Sequence, residues 1–228
     1  MFFRSLLFYF FFVIGTVLFF GIFSPVKFFS REITVKLSSF WTRSVILLSK
    51  FVMGVNYEII GKENIPKDKS FILVSNHQSA WETFFYVSFF NDPVFLLKKE
   101  LKAIPIFSSF CERLGFIYVD RKEKYNSLKH VLRSIKNLVK DGVKIFVIFP
   151  QGTRVKPNEQ GEINSGFFAL HKNLDLPILP VRHNSGDYWI NKSFFKRKGS
   201  IKVEIFPLVK KIDKKESAIR EIKNYFFT

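Results

Sequence analysis

The sequence is poor in cysteine, and its few histidines are widely spaced. It contains one cysteine, Cys111, which excludes an internal disulfide and a metal cluster built from cysteines. The four histidines, at positions 77, 130, 171 and 183, form no short metal-ligand motif such as H-E-x-x-H. We therefore expect neither a metal ion nor another cofactor.

Acidic residues are also scarce. The chain has 19 Asp and Glu against 36 Lys and Arg, a net charge of +17 that attracts nucleic acid, acidic lipid or a phosphorylated substrate. Nucleic acid is disfavoured, because zinc-finger spacing and RNP-like strands are absent and the basic residues are spread out, with denser clusters at Lys196–Lys198 and Lys210–Lys211. With 31 Phe and 47% hydrophobic residues beside this charge, an anionic membrane surface is the expected partner.

The N-terminal segment lacks charge between Arg4 and Lys27. From Leu6 to Phe23 it is almost wholly apolar, close to the roughly 20 residues that span a bilayer. A cleaved signal peptide is the alternative, but its apolar core is usually about 7 to 15 residues long and is followed by a small-x-small site, which is missing here. We interpret the segment as a retained membrane anchor.

A second helical segment follows the anchor. Lys36, Arg43 and Lys50 recur in it every seven residues. Large apolar residues fall near another helical face: Ile33, Leu37, Phe40, Trp41, Leu47, Leu48 and Phe51. The pattern fits an amphipathic helix at a membrane interface, and equally a helix packed on a protein core. We assign residues 1–53 to N-terminal membrane-anchoring helices.

Beyond residue 54, short β-prone runs alternate with longer helical stretches, as in an α/β domain. The expected strands are Tyr57–Ile60, Phe71–Ser75, Val94–Leu97, Phe116–Val119, Lys144–Ile148, Ile178–Arg182 and Ile201–Ile205. The expected helices are Trp81–Phe90, Lys124–Lys140, Gly166–Lys172 and a tail from Lys214. The length leaves room for one catalytic domain, residues 54–228. Ligands commonly bind at the carboxyl ends of strands in such sheets.

The loop after the second expected strand carries a histidine and a carboxylate, His77 and Glu82, five positions apart. In a continuous helix this spacing would leave the two side chains about 140° apart. They meet only if His77 precedes the helix and Asn76 or Ser79 caps it, so that Glu82 reaches back to one imidazole nitrogen. A carboxylate that orients an imidazole in this way makes a general base.

Two arginines follow other expected strands. Arg121 comes after the strand that ends at Val119, and a bidentate guanidinium suits a phosphate monoester. The strand that ends at Ile148 breaks at Pro-x-Gly and presents Thr153 and Arg154, in a type of loop that can offer N–H groups to an anion. Together with His77, these loops predict a base beside an anion site.

In these blocks the sequence resembles the 1-acylglycerol-3-phosphate acyltransferase, or lysophosphatidic acid acyltransferase, family. Asn76–Glu82 is similar to the H-x-x-x-x-D block of the family, and Gly115–Arg121 to its second block. Phe149–Arg154 is similar to its F-P-E-G-T-R block, and Leu176–Val181 to its proline-containing fourth block. The resemblance covers residues 57–206 and implies an α/β fold with a mixed central sheet flanked by helices.

The resemblance also implies a role for each block. His77 is the catalytic base and Glu82 orients it, although Asp is commoner at that position in the family. Substrate binding is assigned to Arg121, Gln151, Gly152, Thr153, Arg154 and Pro180. Gln151 replaces the usual glutamate. If that carboxylate mainly orders the loop, the amide can replace it; if it contacts the acceptor, specificity has shifted.

The implied reaction transfers a fatty acyl group from coenzyme A or acyl carrier protein to the 2-hydroxyl of lysophosphatidic acid, giving phosphatidic acid in phospholipid biosynthesis. Because acyl thioesters are cytoplasmic, we expect the catalytic domain on the cytoplasmic side of the inner membrane. The alternatives are another lysolipid acceptor, an inactive membrane scaffold of the same fold, and a serine hydrolase. The last is disfavoured because the chain has no G-x-S-x-G nucleophile elbow.

Overall fold

The apolar runs predicted as strands all form strands in the computed structural model, which describes residues 2–120 and 122–227. The strands are β1 (Val55–Ile60), β2 (Phe71–Ser75), β3 (Pro93–Lys98), β4 (Ile117–Val119), β5 (Ile145–Ile148), β6 (Ile178–His183) and β7 (Gly199–Ile205). The helices are α1 (Phe2–Ile22), α2 (Arg31–Leu48), α3 (Trp81–Phe89), α4 (Phe107–Arg113), α5 (Lys124–Lys140), α6 (Gly166–Leu174), α7 (Ser185–Tyr188) and α8 (Lys215–Phe227).

Two of these helices, α4 and α7, were not predicted. They contain seven and four residues, which is too short for a repeat of 3.6 residues to be recognised in the sequence.

The chain forms two compact units. The first comprises the chain up to Gly54 together with Thr83–Val143, and the second comprises Val55–Glu82 and the chain from Lys144 onward. The predicted boundary between residues 53 and 54 lies beside one junction of these units, and the chain passes between them again after Glu82 and after Val143. A separate membrane-anchoring function for residues 1–53 stays a prediction.

The second unit contains a mixed sheet with the strand order β1-β7-β6-β2-β5. β1 pairs with β7, and β2 with β5 and β6, in parallel, whereas β6 and β7 are antiparallel. The predicted mixed sheet is therefore confirmed. Every residue of β2 is buried, as expected for a continuous apolar run between two parallel neighbours. Because β2, β5 and β6 run in the same direction, the loops after Ser75, Ile148 and His183 leave one common edge of this sheet, called here the catalytic edge.

The first unit has an aromatic core. Phe19 and Phe110 are buried there, and Phe20, Leu37 and Trp41 pack against them. The rings of Phe19 and Trp41 are stacked at 5.8 Å, and those of Phe20 and Phe110 meet edge to face at 5.1 Å between centroids. These are the separations at which aromatic pairs attract each other. The many phenylalanines of the N-terminal segment therefore contribute to a protein core as well as to an apolar surface.

Within the first unit, α2 turns small polar side chains inward and large apolar ones outward. Its buried residues include Thr34, Ser38 and Thr42, whereas Phe40 and Leu47 are exposed. Small residues at a helix interface allow close backbone approach, which is typical of helices in membranes. Packing on a protein core is observed for two apolar residues of this segment, Leu37 and Trp41. A membrane interface for its exposed apolar residues stays a prediction.

The helix α1 is long and apolar enough to cross a membrane. Its large side chains are mostly exposed in the structure: Phe2, Phe3, Leu6, Leu7, Phe10, Phe11, Val13, Ile14, Val17, Leu18 and Ile22. An apolar surface of this extent marks a contact with lipid or protein. Together with the exposed apolar residues of α2, it indicates that the protein associates with a membrane.

If the small residues of α2 permit close packing, enlarging one of them will destabilise the fold. We expect Ser38→Leu to lower the free energy of unfolding by about 1 to 3 kcal/mol, because Ser38 is buried and extra methylenes at a packed position force neighbouring groups apart. Ser44→Leu is the matched control, since Ser44 is exposed on the same helix. Denaturant unfolding of the purified protein in detergent measures both. Equal stability of the two variants would contradict the packing interpretation.

Candidate active site

The catalytic edge brings His77 and Glu82 together. The strand β2 ends at Ser75, and His77 lies in the loop that follows. The hydroxyl of Ser79 accepts a hydrogen bond from the backbone N–H of Trp81 at 3.0 Å and so caps the beginning of α3. Glu82 lies in the first turn of this helix and reaches back, so that its Oε1 is 2.8 Å from His77 Nδ1. This is the geometry that the spacing predicts, with Ser79 as the cap.

The carboxylate of Glu82 is fully buried and has a partner on each side. Its Oε1 accepts hydrogen bonds from the backbone N–H groups of Gln78 and Ser79, both at 2.8 Å, as well as from His77 Nδ1. Its Oε2 accepts from the hydroxyls of Ser79 at 2.5 Å and Ser185 at 2.7 Å. The relative exposure of Glu82 is 0%. Five donors thus replace the water that the carboxylate loses on folding.

These surroundings keep Glu82 ionised. Burial alone raises the pKa of the Glu82 carboxyl, but the imidazoles of His183 and His77 and the hydroxyl of Ser79 outweigh burial and hold that pKa below its usual value. An ionised carboxylate only accepts hydrogen bonds, so the hydrogen between the pair is carried by Nδ1 of His77. The other nitrogen of that ring, Nε2, is then the acceptor that can take a proton from a substrate.

The orientation of the His77 ring is fixed from a second side. It stacks on the ring of Phe149, the first residue after β5, with 4.2 Å between centroids and an interplanar angle of 19°. The side chain of His77 keeps 16% of its surface exposed. The imidazole is therefore held by a carboxylate at Nδ1 and by an aromatic face, while part of it still reaches solvent.

A second, buried histidine joins the ends of β2 and β6. Burial lowers the pKa of His183 and so favours its neutral form, although the neighbouring carboxylate of Glu82 acts in the opposite direction. Its Nε2 donates to the Asn76 carbonyl at 2.9 Å, and its Nδ1 accepts from the backbone N–H of Ser185 at 3.3 Å. The side chain of Asn76 closes the pair by accepting from the backbone N–H of His183 at 3.0 Å and donating to its carbonyl at 2.8 Å. These bonds place Ser185 beside Glu82.

Gln151 connects the loop after β5 to the peptide of His77. Its Oε1 accepts from the backbone N–H of His77 at 2.7 Å, and its Nε2 donates to the carbonyl of Gln160 at 3.2 Å. The carbonyl of His77 in turn accepts from the N–H of Val155 at 2.8 Å. An ionised glutamate could accept the first bond but could not donate the second. The structure therefore favours a loop-ordering role for Gln151 over a direct contact with the acceptor.

Arg154 is exposed, and it directly precedes Val155, whose backbone N–H bonds to the carbonyl of His77. Its Nε donates to the carbonyl of Ser79 at 3.0 Å, and its Nη1 is 3.4 Å from Oδ1 of Asn191. Its neighbour Thr153 is exposed as well. The turn before them is closed by the bond from Gly152 N–H to the Phe149 carbonyl at 2.9 Å, and Gly152 has a φ of +70°. A left-handed residue at this point suits glycine.

The structure does not gather all the predicted binding residues at this edge. Pro180 is buried inside β6, where it is paired with Val74 of β2, so its position is that of a sheet residue and not of a side chain open to substrate. Its carbonyl accepts from the N–H of Phe206 at 3.0 Å. The proposed phosphate ligand Arg121 lies outside the described residues.

The sequence analysis did not identify Ser185, which donates a hydrogen bond to Oε2 of Glu82, or His183, which positions Ser185. Ser185 is 103 residues away from Glu82 along the chain, so no local spacing could connect them. Both Ser185 and His183 are buried at the carboxyl end of β6. The available signal in the sequence was their position, because both residues follow shortly after the proline-containing fourth block, Leu176–Val181.

The sequence is similar to those of known proteins. Residues 56–184 match the family model described as Acyltransferase. The chain is 37% identical over 182 residues to the 1-acyl-sn-glycerol-3-phosphate acyltransferase of Pseudomonas aeruginosa, covering 80% of this chain and 70% of that protein. It is 28% identical over 176 residues to the protein of the same name from Borreliella burgdorferi, covering 76% and 70%.

A solved structure supports the fold. The crystal structure of the 1-acyl-sn-glycerophosphate (LPA) acyltransferase PlsC from Thermotoga maritima superposes with a TM-score of 0.75. The superposition covers 97% of this chain and 91% of that one, at 22% sequence identity.

The hydroxyl of Ser185 should matter for the protonation of Glu82. Ser185→Ala removes one of the donors that stabilise the ionised carboxylate, so the pKa of Glu82 should rise and its hold on the His77 imidazole should weaken. At neutral pH we expect kcat to fall roughly tenfold, as for the loss of about 1.5 kcal/mol of a charge-assisted hydrogen bond. The measurement is kcat as a function of pH. Ser185→Thr, which keeps the hydroxyl, is the control, and an unchanged kcat in Ser185→Ala across the pH range would count against the role.

Proposed function

The chain belongs to the acyltransferase family that includes the 1-acyl-sn-glycerol-3-phosphate acyltransferases, and on that premise we propose that it transfers a fatty acyl group from an acyl thioester to the 2-hydroxyl of 1-acylglycerol-3-phosphate. The product is phosphatidic acid. The observation that supports this most directly is the His77–Glu82 pair, whose geometry leaves Nε2 of the imidazole to act as a base.

The reaction needs one bond to form and one to break. The acceptor hydroxyl gives its proton to Nε2 of His77 as its oxygen attacks the thioester carbonyl carbon, and the new C–O ester bond replaces the C–S bond. The imidazolium then returns the proton to the departing thiolate. Glu82 stabilises the imidazolium between these steps, and such acid–base catalysis typically contributes on the order of 10² to 10⁴ in rate. No covalent acyl-enzyme is required.

Arg154 is the described residue best suited to hold the acceptor phosphate. Its guanidinium is anchored by the Ser79 carbonyl, three residues before Glu82, while the residue as a whole is exposed. A phosphate bound there would place a neighbouring hydroxyl close to the His77 loop, so that binding energy also orients the reacting group. We propose Arg121, Thr153 and the backbone at Gly152 as further contacts to this anion.

The membrane location follows from the substrates. The acceptor and the product are both lipids, whereas acyl-CoA and acyl carrier protein are soluble donors. An enzyme held at the cytoplasmic face of the inner membrane meets both. The apolar surfaces of α1 and α2 are consistent with such an anchor.

Other functions fit less well. Another lysolipid acceptor was suggested by the amide of Gln151, but both ends of that amide are engaged within the protein. An inactive scaffold is disfavoured, because a fully hydrogen-bonded Glu82 beside an accessible imidazole is the arrangement that catalysis needs. A serine hydrolase is disfavoured since the hydroxyls of Ser79 and Ser185 are buried and point to a carboxylate instead of a base.

The test is transfer of labelled acyl groups from acyl-CoA and from acyl carrier protein to 1-acylglycerol-3-phosphate in membranes. We expect phosphatidic acid from the intact protein and at least a 10²-fold lower rate from His77→Ala. His130→Ala is the matched control, because His130 is exposed on α5. Full activity of His77→Ala would refute the base assignment. Transfer only to acceptors that lack a phosphate monoester would refute the proposed acceptor.

Arg154 gives a separate prediction. Arg154→Ala should raise the KM for the phosphate-bearing acceptor by about 10- to 100-fold, the effect of losing one charge-assisted contact, with little change in the KM for the donor. Lys156→Ala is the control, because Lys156 is an exposed cation of the same loop that pairs with Glu159 at 3.4 Å. Steady-state kinetics with each substrate varied in turn distinguishes them. A rise confined to the KM of acyl-CoA would mean that Arg154 binds the donor instead.

A further inference from the structure

In the loop between α7 and β7, a charged side chain is buried and two large apolar side chains are exposed. In this segment, residues 189–198, the lysine Lys196 is only 3% exposed, whereas Phe194 is 38% and Phe195 is 44% exposed. A loop in contact with water alone normally does the opposite, because lysine is among the residues least often buried and phenylalanine among the most. This pattern indicates that the exposed phenylalanines contact something other than water.

The buried lysine holds the loop together from inside. Its Nζ donates to the carbonyls of Ser193 at 2.6 Å and Ile190 at 3.0 Å, and it lies 5.5 Å from the ring centre of Trp189. Burial and the neighbouring charge of Arg154 lower the pKa of Lys196 to about 8. Burying the charge of Lys196 is unfavourable, and its contacts with the two carbonyls and the indole ring offset that cost and hold the loop closed.

The same fold of the loop presents the two phenylalanines together. The N–H of Phe195 donates to the hydroxyl of Ser193 at 3.1 Å, and the N–H of Arg197 donates to the Tyr188 carbonyl at 2.8 Å. The rings of Phe194 and Phe195 meet edge to face at 5.4 Å. The two rings thus form one apolar tip on a loop that is fixed at both ends.

Cations surround this tip. Lys192, Arg197 and Lys198 are exposed, and residues 189–198 include no acidic residue. Aromatic side chains flanked by lysine and arginine are the combination found at the boundary between lipid head groups and acyl chains. The cations would attract anionic head groups, and the rings would leave water for the boundary region. A charged protein partner would match the cations but would have to cover both rings with an apolar surface of its own.

We propose that residues 189–198, called here the aromatic loop, are a lipid-contacting element of the second unit, in which Phe194 and Phe195 enter an anionic bilayer and Lys192, Arg197 and Lys198 bind its head groups. This contact is additional to any membrane contact of α1 and α2.

The aromatic loop lies where a lipid acceptor would reach the site. This part of the inference rests on the proposed function. The loop follows the carboxyl end of β6 and precedes β7, so it belongs to the catalytic edge. Its residue Asn191 contacts the guanidinium of Arg154 at 3.4 Å. A lipid acceptor whose phosphate is held by Arg154 would therefore leave the bilayer beside the aromatic loop.

Site-specific labelling tests the lipid contact without requiring turnover. The full-length protein is reconstituted in vesicles of phosphatidylglycerol and phosphatidylcholine, and Phe195→Cys is labelled with an environment-sensitive fluorophore. Cys111 is buried, and replacing it by alanine leaves a single reactive thiol. Labels at Phe10→Cys, on the exposed face of α1, and at Ile60→Cys, also exposed, are the positive and negative controls. Ile60 ends β1, which runs antiparallel to β6, so it lies at the opposite edge of the sheet.

We expect lipids with brominated acyl chains to quench the labels at positions 195 and 10 but not the label at position 60. Quenching at position 10 without quenching at position 195 would overturn the proposal. An absence of quenching at position 195, together with a spectral shift there when acyl carrier protein is added, would also overturn it and would point to an acidic protein partner.

A second variant tests the charges. The combined substitution Lys192→Gln, Arg197→Gln and Lys198→Gln should raise the KM for acceptor embedded in anionic vesicles, by about fivefold for each cation that faces the surface. The KM for a short-chain acceptor that is monomeric in water should not change, which separates loss of lipid contact from damage to the active site. An equal loss with both acceptors would contradict the role of these cations at the bilayer.

Discussion

The buried negative charge of Glu82 is the constraint on which the catalytic edge depends. A carboxylate removed from water is stable only if its lone pairs are satisfied by the protein. Here they are satisfied by the loop after β2, by the cap of α3 and by Ser185, which follows β6. The ends of two strands and the beginning of a helix must therefore be in place before the charge can be buried. The neutral ring of His183 contributes by fixing the distance between β2 and β6.

The replacements at positions 82 and 151 can be understood from the same network. A glutamate has one methylene more than the aspartate that is commoner in the family, and that length lets Glu82 reach the loop N–H groups of Gln78 and Ser79 as well as the imidazole. At position 151 an amide can donate to the Gln160 carbonyl, which a carboxylate cannot. Glu82 thus holds the imidazole of His77, and Gln151 holds its backbone N–H.

The sequence predicted what depends on local pattern. The buried strand β2 is a continuous apolar run, and the spacing of His77 and Glu82 fits only a histidine before a helix and an acid in its first turn. The sequence could not predict the bond between Glu82 and Ser185, because it joins distant segments, nor the burial of Pro180, because a motif does not reveal which residues a sheet covers. The burial of Lys196 could not be predicted either, because a cluster of basic residues in a sequence is normally interpreted as an exposed surface.

The stacking of His77 on Phe149 has a consequence for the order of events in acyl transfer. With Nδ1 committed to Glu82 and one ring face covered, the imidazole has a single edge left for exchange with substrates. The proton taken from the acceptor and the proton returned to the thiol must then pass through the same nitrogen. Donor and acceptor have to converge on that atom while both are bound, so the proposed reaction suits a sequential mechanism, in which a ternary complex forms before either product leaves.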